Sequence, residues 1–208
     1  MKIFITGGTG VLGRFLIPLL DAAGHDVLAP RHAELDIFDA SAVDAAVAGA
    51  DAVYHLATRI RQGAWEENDR IRRDATRILV DAALATGSEV FVQPSVTFMY
   101  PPDAPADEGT PLNPSAQLGS MVAAENEVRR FAESGKRGVV LRLGLLWGPG
   151  TGNDTPNTRN GSTLQIEDAA EALMLALDLP TGIYNVAADN ERVSSARFRA
   201  ATGWRPRH

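Results

Sequence analysis

A chain of 208 residues with 45% hydrophobic and 22% charged residues has the composition of a globular protein with a substantial core. The net charge of −6 favours solubility and gives no indication of a nucleic-acid partner. The absence of cysteine excludes disulfides, thiolate metal sites and a cysteine nucleophile, and no apolar run is long enough to cross a membrane.

The chain opens with an apolar run of β-branched and aromatic residues, then a glycine-rich turn, then apolar residues at helical spacing. Strand, glycine turn and helix in this order favour a phosphate-binding turn over an ordinary strand–helix connection, which remains the alternative. Gly7 permits the tight turn, Gly10 lets a pyrophosphate approach the backbone, and Gly13 lets the helix pack closely on the strand. The helix N-terminus at Val11 and Leu12 offers free N–H groups and a partial positive charge to the phosphates.

Strands and helices alternate along the rest of the chain. The first helix is predicted to end near Gly24. Further strands are predicted at residues 27–29, 52–57, 89–92, 139–143, 163–166 and 183–186. Further helices are predicted at residues 39–47, 68–85, 115–133 and 167–177, and loops at 101–114 and 144–162. The alternation predicts an α/β, Rossmann-type doubly wound parallel sheet that binds ligands at the carboxyl ends of its strands. We expect residues 1–150 to form the dinucleotide-binding core and residues 151–208 to form a reduced substrate-lobe segment of the same domain.

The end of the second predicted strand bears on the choice of dinucleotide. An acid at this position bonds the 2′-hydroxyl of NAD, whereas an arginine accommodates the 2′-phosphate of NADP. Arg31 follows the strand, with no carboxylate at its tip, and Arg14 can add a second contact from just past the glycine turn. The pattern favours NADP, with NAD as the alternative, unless both arginines are simply solvated surface residues.

Several stretches together resemble the short-chain dehydrogenase/reductase superfamily, in its extended (NAD-dependent epimerase/dehydratase-like) or atypical branch. They are TGGTGVLG at 6–13, FVQPSVTFMY at 91–100, PLNP at 111–114, LRLGLLWGPG at 141–150, QIEDAA at 165–170, GIYNV at 182–186 and GWRP at 203–206. The resemblance implies that Asp36 and Ile37 hold adenine, and that Leu56, Ala57 and Thr58 form a small-residue turn against the cofactor. A loop aspartate that starts a turn is the alternative for Asp36.

The same resemblance implies a Tyr-x-x-x-Lys pair in the helix at 115–133. In that pair the tyrosine transfers a proton at the reacting oxygen, and the lysine lowers the pKa of the tyrosine and holds the nicotinamide ribose. The matching positions are Gln117 and Met121, and neither side chain titrates. No tyrosine lies between Tyr100 and Tyr184, so a shift of register does not restore the pair. Arg72 or its neighbour Arg73 takes the position of the family's helix asparagine.

Four residues remain as predicted catalytic candidates. Ser95, followed by Thr97, lies where the family has its substrate-polarising hydroxyl, although the family's second serine aligns with Val96. Tyr100 is a candidate acid, and Gln117 a candidate hydrogen-bond donor to the reacting oxygen. The alternatives are hydroxyls that satisfy strand-end backbone groups and a tyrosine that only packs.

The remaining polar residues give weaker predictions. Arg59 and Arg61 follow the third strand on the ligand side, where they can bind an anionic substrate group or form a solvated loop, and Arg159 is a weaker case. His55 is predicted to be a core histidine rather than a base, because its neighbours are apolar. No cluster of histidine, aspartate and glutamate has metal-ligand spacing, so no metal site is predicted.

These observations predict an NADP-dependent oxidoreductase or epimerase-like enzyme that acts on a small carbonyl or hydroxyl compound. The alternatives are a repurposed fold with non-redox chemistry (isomerase, cyclase or dehydratase) and a non-catalytic dinucleotide-binding sensor. Extended members of the superfamily are roughly half as long again, so the substrate lobe is reduced here. We expect a small-molecule substrate, no nucleic-acid or membrane partner, a homodimer formed through the helices at 68–85 and 115–133, and a cytoplasmic location.

Overall fold

The structure is a computed structural model that describes residues 1–59, 64–102, 105–158, 161–188, 190 and 192–208. Its strands are β1 (Lys2–Thr6), β2 (Asp26–Leu28), β3 (Ala52–His55), β4 (Val90–Val96), β5 (Arg137–Leu143), β6 (Leu145–Trp147), β7 (Thr163–Gln165) and β8 (Gly182–Val186). Its α-helices are α1 (Val11–Ala22), α2 (Ala40–Val47), α3 (Trp65–Arg70), α4 (Thr76–Thr86), α5 (Gly119–Glu133), α6 (Ile166–Leu175) and α7 (Ala196–Thr202).

The main sheet is parallel, with the strand order β2-β1-β3-β4-β5-β8. The chain leaves β1 for β2 on one side and returns to β3 on the other, so the topological switch point lies between β1 and β3. The carboxyl ends of all these strands meet at one edge of the sheet, which is where the ligand cleft of such folds lies. The predicted Rossmann-type doubly wound fold is confirmed.

Side chains alternate between two apolar layers, one on each face of the sheet. On β1, Ile3 and Ile5 join the layer that contains α1 and α6, whereas Phe4 joins the layer that contains α2, α4 and α5. Both faces are therefore buried, which explains why the central strands are continuous apolar runs rather than alternating ones. Within the described ranges, no helix is both long and apolar enough to cross a bilayer.

β3 and β4 end more than one residue away from their predicted C-terminal ends. β3 ends at His55, two residues early, because β1, its neighbour, ends at Thr6, the partner of His55 in the register. β4 continues to Val96, four residues beyond the predicted end, because β5 pairs with it as far as Leu143. In both cases the length of the neighbouring strand decides where the ladder stops.

The helix predicted at 68–85 is a composite. It begins as α3 at Trp65, passes through a π-helical segment at Ile71–Ala75 and continues as α4 to Thr86. Gly87 ends it with a φ of +84°, the left-handed conformation that glycine adopts without strain. The apolar spacing of the sequence does not reveal the extra residue of the π turn.

The helix predicted to start at Ser115 starts later. Ser115 makes no side-chain cap, residues Ala116–Leu118 form a 3₁₀ turn, and α5 begins at Gly119. The predicted start at Ser115 is therefore too early, since the chain enters the helix through this tighter turn. Gln117 consequently lies just before α5 and not within it.

The second half of the chain holds two features that were not predicted. Residues Leu145–Trp147, in the predicted loop 144–162, form β6, which pairs with β7 in a separate two-stranded sheet. The short helix α7 buries Phe198, whose ring packs edge-on against Tyr184 and Trp204. The three-residue β6 and the seven-residue α7 carry too little periodicity to be recognised without their tertiary partners.

Candidate functional site

The glycine turn between β1 and α1 lies directly against the end of β3. Gly7 has a φ of +76°, and a Cβ on this residue would lie 2.6 Å from the backbone nitrogen of Ala57. A Cβ on Gly13 would lie 2.4 Å from the carbonyl oxygen of Gly8. Only residues without a Cβ allow this approach of helix, turn and strand, so the structure places the predicted glycines where close packing requires them.

The N-terminus of α1 has no side-chain cap among the described residues. Its N-cap is Gly10, whose N–H donates to the Gly7 carbonyl (2.9 Å), and no side chain caps the helix. The half-buried residues Val11 and Leu12 form the first turn, where backbone N–H groups and the helix dipole favour an anion. These features fit the pyrophosphate of a dinucleotide.

The residues after β3 line the same turn. The N–H of Leu56 donates to the carbonyl of Thr6 (3.0 Å), and the Leu56 side chain is buried. Ala57 is half-buried beside Gly7, and Thr58 is exposed. The structure thus brings the predicted small-residue turn and the glycine turn together at the switch point.

The region after β2 holds a carboxylate beside Arg31, which the sequence analysis did not anticipate. The Arg31 side chain is exposed, and its backbone N–H donates to the carboxylate of Glu34 (2.8 Å), a residue that the sequence reasoning missed. Asp36 accepts from the N–H of Phe38 (2.9 Å), so this aspartate does start a turn, while Ile37 packs against the core. The adenine role of Asp36 and Ile37 stays a prediction.

Arg14 points toward a different part of the cleft edge. A Cβ on Gly150 would lie 2.6 Å from a guanidinium nitrogen of Arg14. The Arg14 side chain therefore extends toward the loop that follows β6. The predicted second contact of Arg14 with a 2′-phosphate stays a prediction.

A buried polar network joins the ends of β4, β5 and β8 to α5. Two guanidinium nitrogens of Arg142 donate to the two carboxylate oxygens of Glu125 (2.9 and 2.6 Å). The Ser95 hydroxyl also donates to Glu125 (2.6 Å). A further nitrogen of Arg142 donates to the Tyr100 hydroxyl (2.7 Å), which donates to Asn185 (2.8 Å). The sequence signal for this network was Arg142 itself, a charge within a buried strand that requires a partner.

Three predicted catalytic hydroxyls are engaged by the protein. Ser95, Thr97 and Tyr100 are only 2%, 2% and 3% exposed. Thr97 donates to the carbonyl of Leu143 (3.3 Å) and shares a hydrogen bond with Ser162 (2.6 Å). Burial raises the pKa of Tyr100, although Arg142 opposes the shift. A catalytic role for these hydroxyls stays a prediction, and their contacts favour a positioning role.

The fourth candidate lies at the open start of α5. Gln117 is exposed in the 3₁₀ turn, and Met121 is buried one turn later. Ser120, between them, donates to the carboxylate of Asp69 on α3 (2.5 Å). The structure therefore separates Gln117, whose side chain faces solvent, from the three buried hydroxyls.

His55 is a buried histidine whose two ring nitrogens both form hydrogen bonds, as expected of a core histidine. Its Nε2 donates to the carbonyl of Ile71 (3.5 Å), and its Nδ1 accepts from the hydroxyl of Thr6 (2.6 Å). Burial lowers the pKa of His55 to about 4.

The weaker candidates add little to the site. Arg59 forms an exposed ion pair with Glu67 (3.5 Å), and Arg61 and Arg159 lie outside the described residues. No group of metal-binding side chains occurs in the part of the chain that the structure describes.

We expect Gly13→Ala to lower the affinity for NADPH at least about tenfold, because its Cβ must displace the backbone of Gly8 and distort the turn. Fluorescence titration with NADPH measures the effect. Gly109→Ala is the matched control, since a Cβ there lies at an ordinary 3.4 Å from its nearest neighbour. Equal affinities of the two variants would contradict this role of the turn.

We expect Glu125→Ala to lower the free energy of unfolding by about 3–5 kcal/mol, because it leaves the buried charge of Arg142 without its partner. Urea denaturation measures the loss. Glu127→Ala, on the same helix, removes a partly exposed pair with Arg130 and should cost at most about 1 kcal/mol. A similar loss in both variants would show that the network contributes no special stability.

Known proteins resemble this chain in sequence. The chain is 34% identical over 207 residues to a 3-diazoavenalumate denitrifying reductase of Streptomyces sp, covering 88% of this chain and 65% of that protein. It is 33% identical over 175 residues to a 2-alkyl-3-oxoalkanoate reductase of Stenotrophomonas maltophilia (strain K279a), covering 72% of this chain and 52% of that protein. The chain thus spans between about half and two thirds of the length of these relatives.

Solved structures share the fold at lower identity. The UDP-N-acetylglucosamine 4-epimerase of Bacillus cereus superposes with a TM-score of 0.84 at 20% identity, covering 100% of this chain and 94% of that one. RMD from Pseudomonas aeruginosa, solved in complex with NADPH, also gives 0.84, at 22% identity over 100% of this chain and 95% of that one. The model of the NAD dependent epimerase/dehydratase family matches residues 3–164, well over half of the chain. The chain therefore belongs to the NAD dependent epimerase/dehydratase family.

Proposed function

We propose that the chain binds NADPH along its glycine turn and acts as a reductase of a small, electron-poor substrate. The observation that carries this proposal is the turn itself, which packs without side chains against the end of β3 and leaves the N-terminus of α1 uncapped. Gly7, Gly10 and Gly13, with Leu56, Ala57 and Thr58, would hold the dinucleotide, and the bound dinucleotide would supply a hydride. Both curated relatives described above are named as reductases.

The start of α5 constrains the acceptor of that hydride. Hydride addition to a carbonyl produces an oxyanion, which the family's tyrosine would protonate. Gln117 can donate a hydrogen bond to such an oxygen but cannot release a proton at neutral pH, and Met121 has no charge to lower the pKa of a neighbour. A substrate whose reduction requires no proton avoids this step.

An arenediazonium ion is an acceptor of this kind. Addition of a hydride and loss of dinitrogen convert it into the neutral arene, so that charge and atoms balance without an acid. One relative is named as a denitrifying reductase of a diazo compound. We therefore propose diazo compounds as the substrate class, with Gln117 donating a hydrogen bond to an oxygen or nitrogen of the substrate.

We also propose that the substrate carries a carboxylate. The substrates in the names of both relatives, an avenalumate and an oxoalkanoate, are carboxylate anions. A negative charge on the substrate calls for a cation in the cleft, and arginine is well suited because its guanidinium can donate two parallel hydrogen bonds to a carboxylate.

The proposed activity is tested by titrating the protein with NADPH and then adding 3-carboxybenzenediazonium or a panel of simple ketones. We expect NADPH to bind and to be oxidised by the diazonium faster than without protein, with little oxidation by the ketones. Absorbance of NADPH and release of dinitrogen measure the reaction. Binding without oxidation would favour the sensor, and absence of binding would overturn both roles.

Restoring the family pair tests the role of the missing acid. We expect the double substitution of Gln117→Tyr with Met121→Lys to increase ketone reduction about a hundredfold, which is the lower range for general acid catalysis. Each single substitution is a control, because neither alone combines a proton donor with the lysine that lowers its pKa. Native ketone reduction equal to that of the double variant would contradict the proposed acceptor class.

NADP preference is proposed from Arg31, whose exposed side chain follows β2. We expect Arg31→Ala to weaken NADPH binding about tenfold and NADH binding less than about twofold, since only NADPH has the 2′-phosphate. Parallel fluorescence titrations measure the difference. Arg129→Ala, an exposed arginine on α5, is the control, and equal losses for both dinucleotides would refute the assignment.

A further inference from the structure

The π-helical segment Ile71–Ala75 places an arginine in an unusual position. π turns are rare, and they often occur at functional sites. Arg72, within this turn, is only 5% exposed. Its side chain reaches the turn just before α5, where Nη1 donates to the backbone carbonyl of Gln117 (3.3 Å).

The Arg72 guanidinium is incompletely paired. Its Nε is buried and has no hydrogen-bond partner among the described residues. Within those residues Arg72 also forms no ion pair with a carboxylate. Asp69, one turn earlier, accepts a hydrogen bond from the hydroxyl of Ser120 instead (2.5 Å). Burial lowers the pKa of Arg72, and the negative charge of Asp69 opposes the shift only in part.

A buried cation without a counter-charge is costly, and proteins ordinarily pair such groups. The Nη1 end of Arg72 contacts Gln117, which is exposed, so this end of the guanidinium borders a solvent-facing turn. The turn belongs to the segment where the family resemblance places the catalytic pair. An anion that bound the edge formed by Nε and Nη2, on the side of the guanidinium away from this contact, would supply both the missing hydrogen bond and a paired counter-charge.

Other arginines near the site are already engaged. Arg73, the next residue, is exposed and pairs with Asp74 (3.2 Å). Arg142 pairs with Glu125 (2.6 Å) in the buried network. Arg70 stacks on the ring of a phenylalanine, 3.9 Å from its centroid. Arg72 is thus distinguished from these three by a buried charge that lacks a counter-ion within the described ranges.

We propose that Arg72 binds the carboxylate of the substrate and thereby selects carboxylic acids as its class. This inference rests on the proposed function and names the residue that would recognise the anion. It also assigns a purpose to the π turn, which brings a long cationic side chain from the helix toward the start of α5.

Binding of cinnamate and of its neutral analogue cinnamamide tests the proposal without requiring turnover. Saturation-transfer NMR measures both affinities, with and without NADPH. We expect the native protein to bind cinnamate at least about tenfold more tightly than cinnamamide, as one charged hydrogen-bonded pair provides. Arg72→Gln should abolish this preference, and Arg72→Lys should retain part of it because the charge remains. Arg73→Gln is the matched control and should behave as the native protein.

The outcomes separate the two proposals. Equal binding of the two probes by the native protein, or an unchanged preference in Arg72→Gln, would overturn the role of Arg72. If Arg72→Gln fails to fold, the role of Arg72 is still tested by two measurements. They are the preference of the native protein for cinnamate and the partial retention of this preference in Arg72→Lys. Absence of NADPH binding would instead overturn the proposed reductase, while the comparison of cinnamate and cinnamamide would continue to test Arg72.

Discussion

The geometry of the cleft edge depends on one buried ion pair, Arg142 with Glu125. The two side chains are almost completely buried, and they meet through two hydrogen bonds. Neither charge is tolerable alone in such surroundings, so β5 and α5 must be arranged to satisfy both. Ser95 from β4 and Asn185 from β8, which is reached through Tyr100, extend the same constraint across three strands.

This constraint divides the polar residues of the site into two groups. The hydroxyls of Ser95 and Tyr100 satisfy the ion pair and are withdrawn from solvent. Gln117 and Arg72 lie beyond the network, where α5 begins and where the π turn approaches it. The family fold is thus retained, and the exposed Gln117 and the buried Arg72 meet at the start of α5.

The glycine turn and the ion pair have complementary roles. The glycines of the turn have no side chains, so that β1, α1 and the end of β3 approach closely around Gly7 and Gly13. The ion pair instead fills the neighbouring part of the edge with side chains that are fully hydrogen-bonded. One half of the edge is therefore close-packed backbone, and in the other half the buried network fixes α5 against β4 and β5. In the strand order the two halves meet between β3 and β4, next to the switch point between β1 and β3.

The sequence by itself determined the features that follow from local chemistry. Glycine spacing before an apolar helix identified the turn, and alternating apolar segments identified the doubly wound sheet, because conformational freedom and periodicity are properties of neighbouring residues. The alignment of Gln117 and Met121 with the family's catalytic pair stays a prediction of the sequence. The sequence reasoning missed the partner of Arg142, because Glu125 lies on a different element and no local pattern connects the two.

Only the tertiary structure decided which polar groups remain available. The burial of Ser95 and Tyr100 depends on contacts with α5 and β5 that no local pattern encodes. The lengths of β3 and β4 were set by their neighbours, and the π turn that buries Arg72 leaves no mark on the apolar spacing. Local patterns specify which elements form, whereas the pairing of buried charges is a long-range property that exists only once those elements have packed.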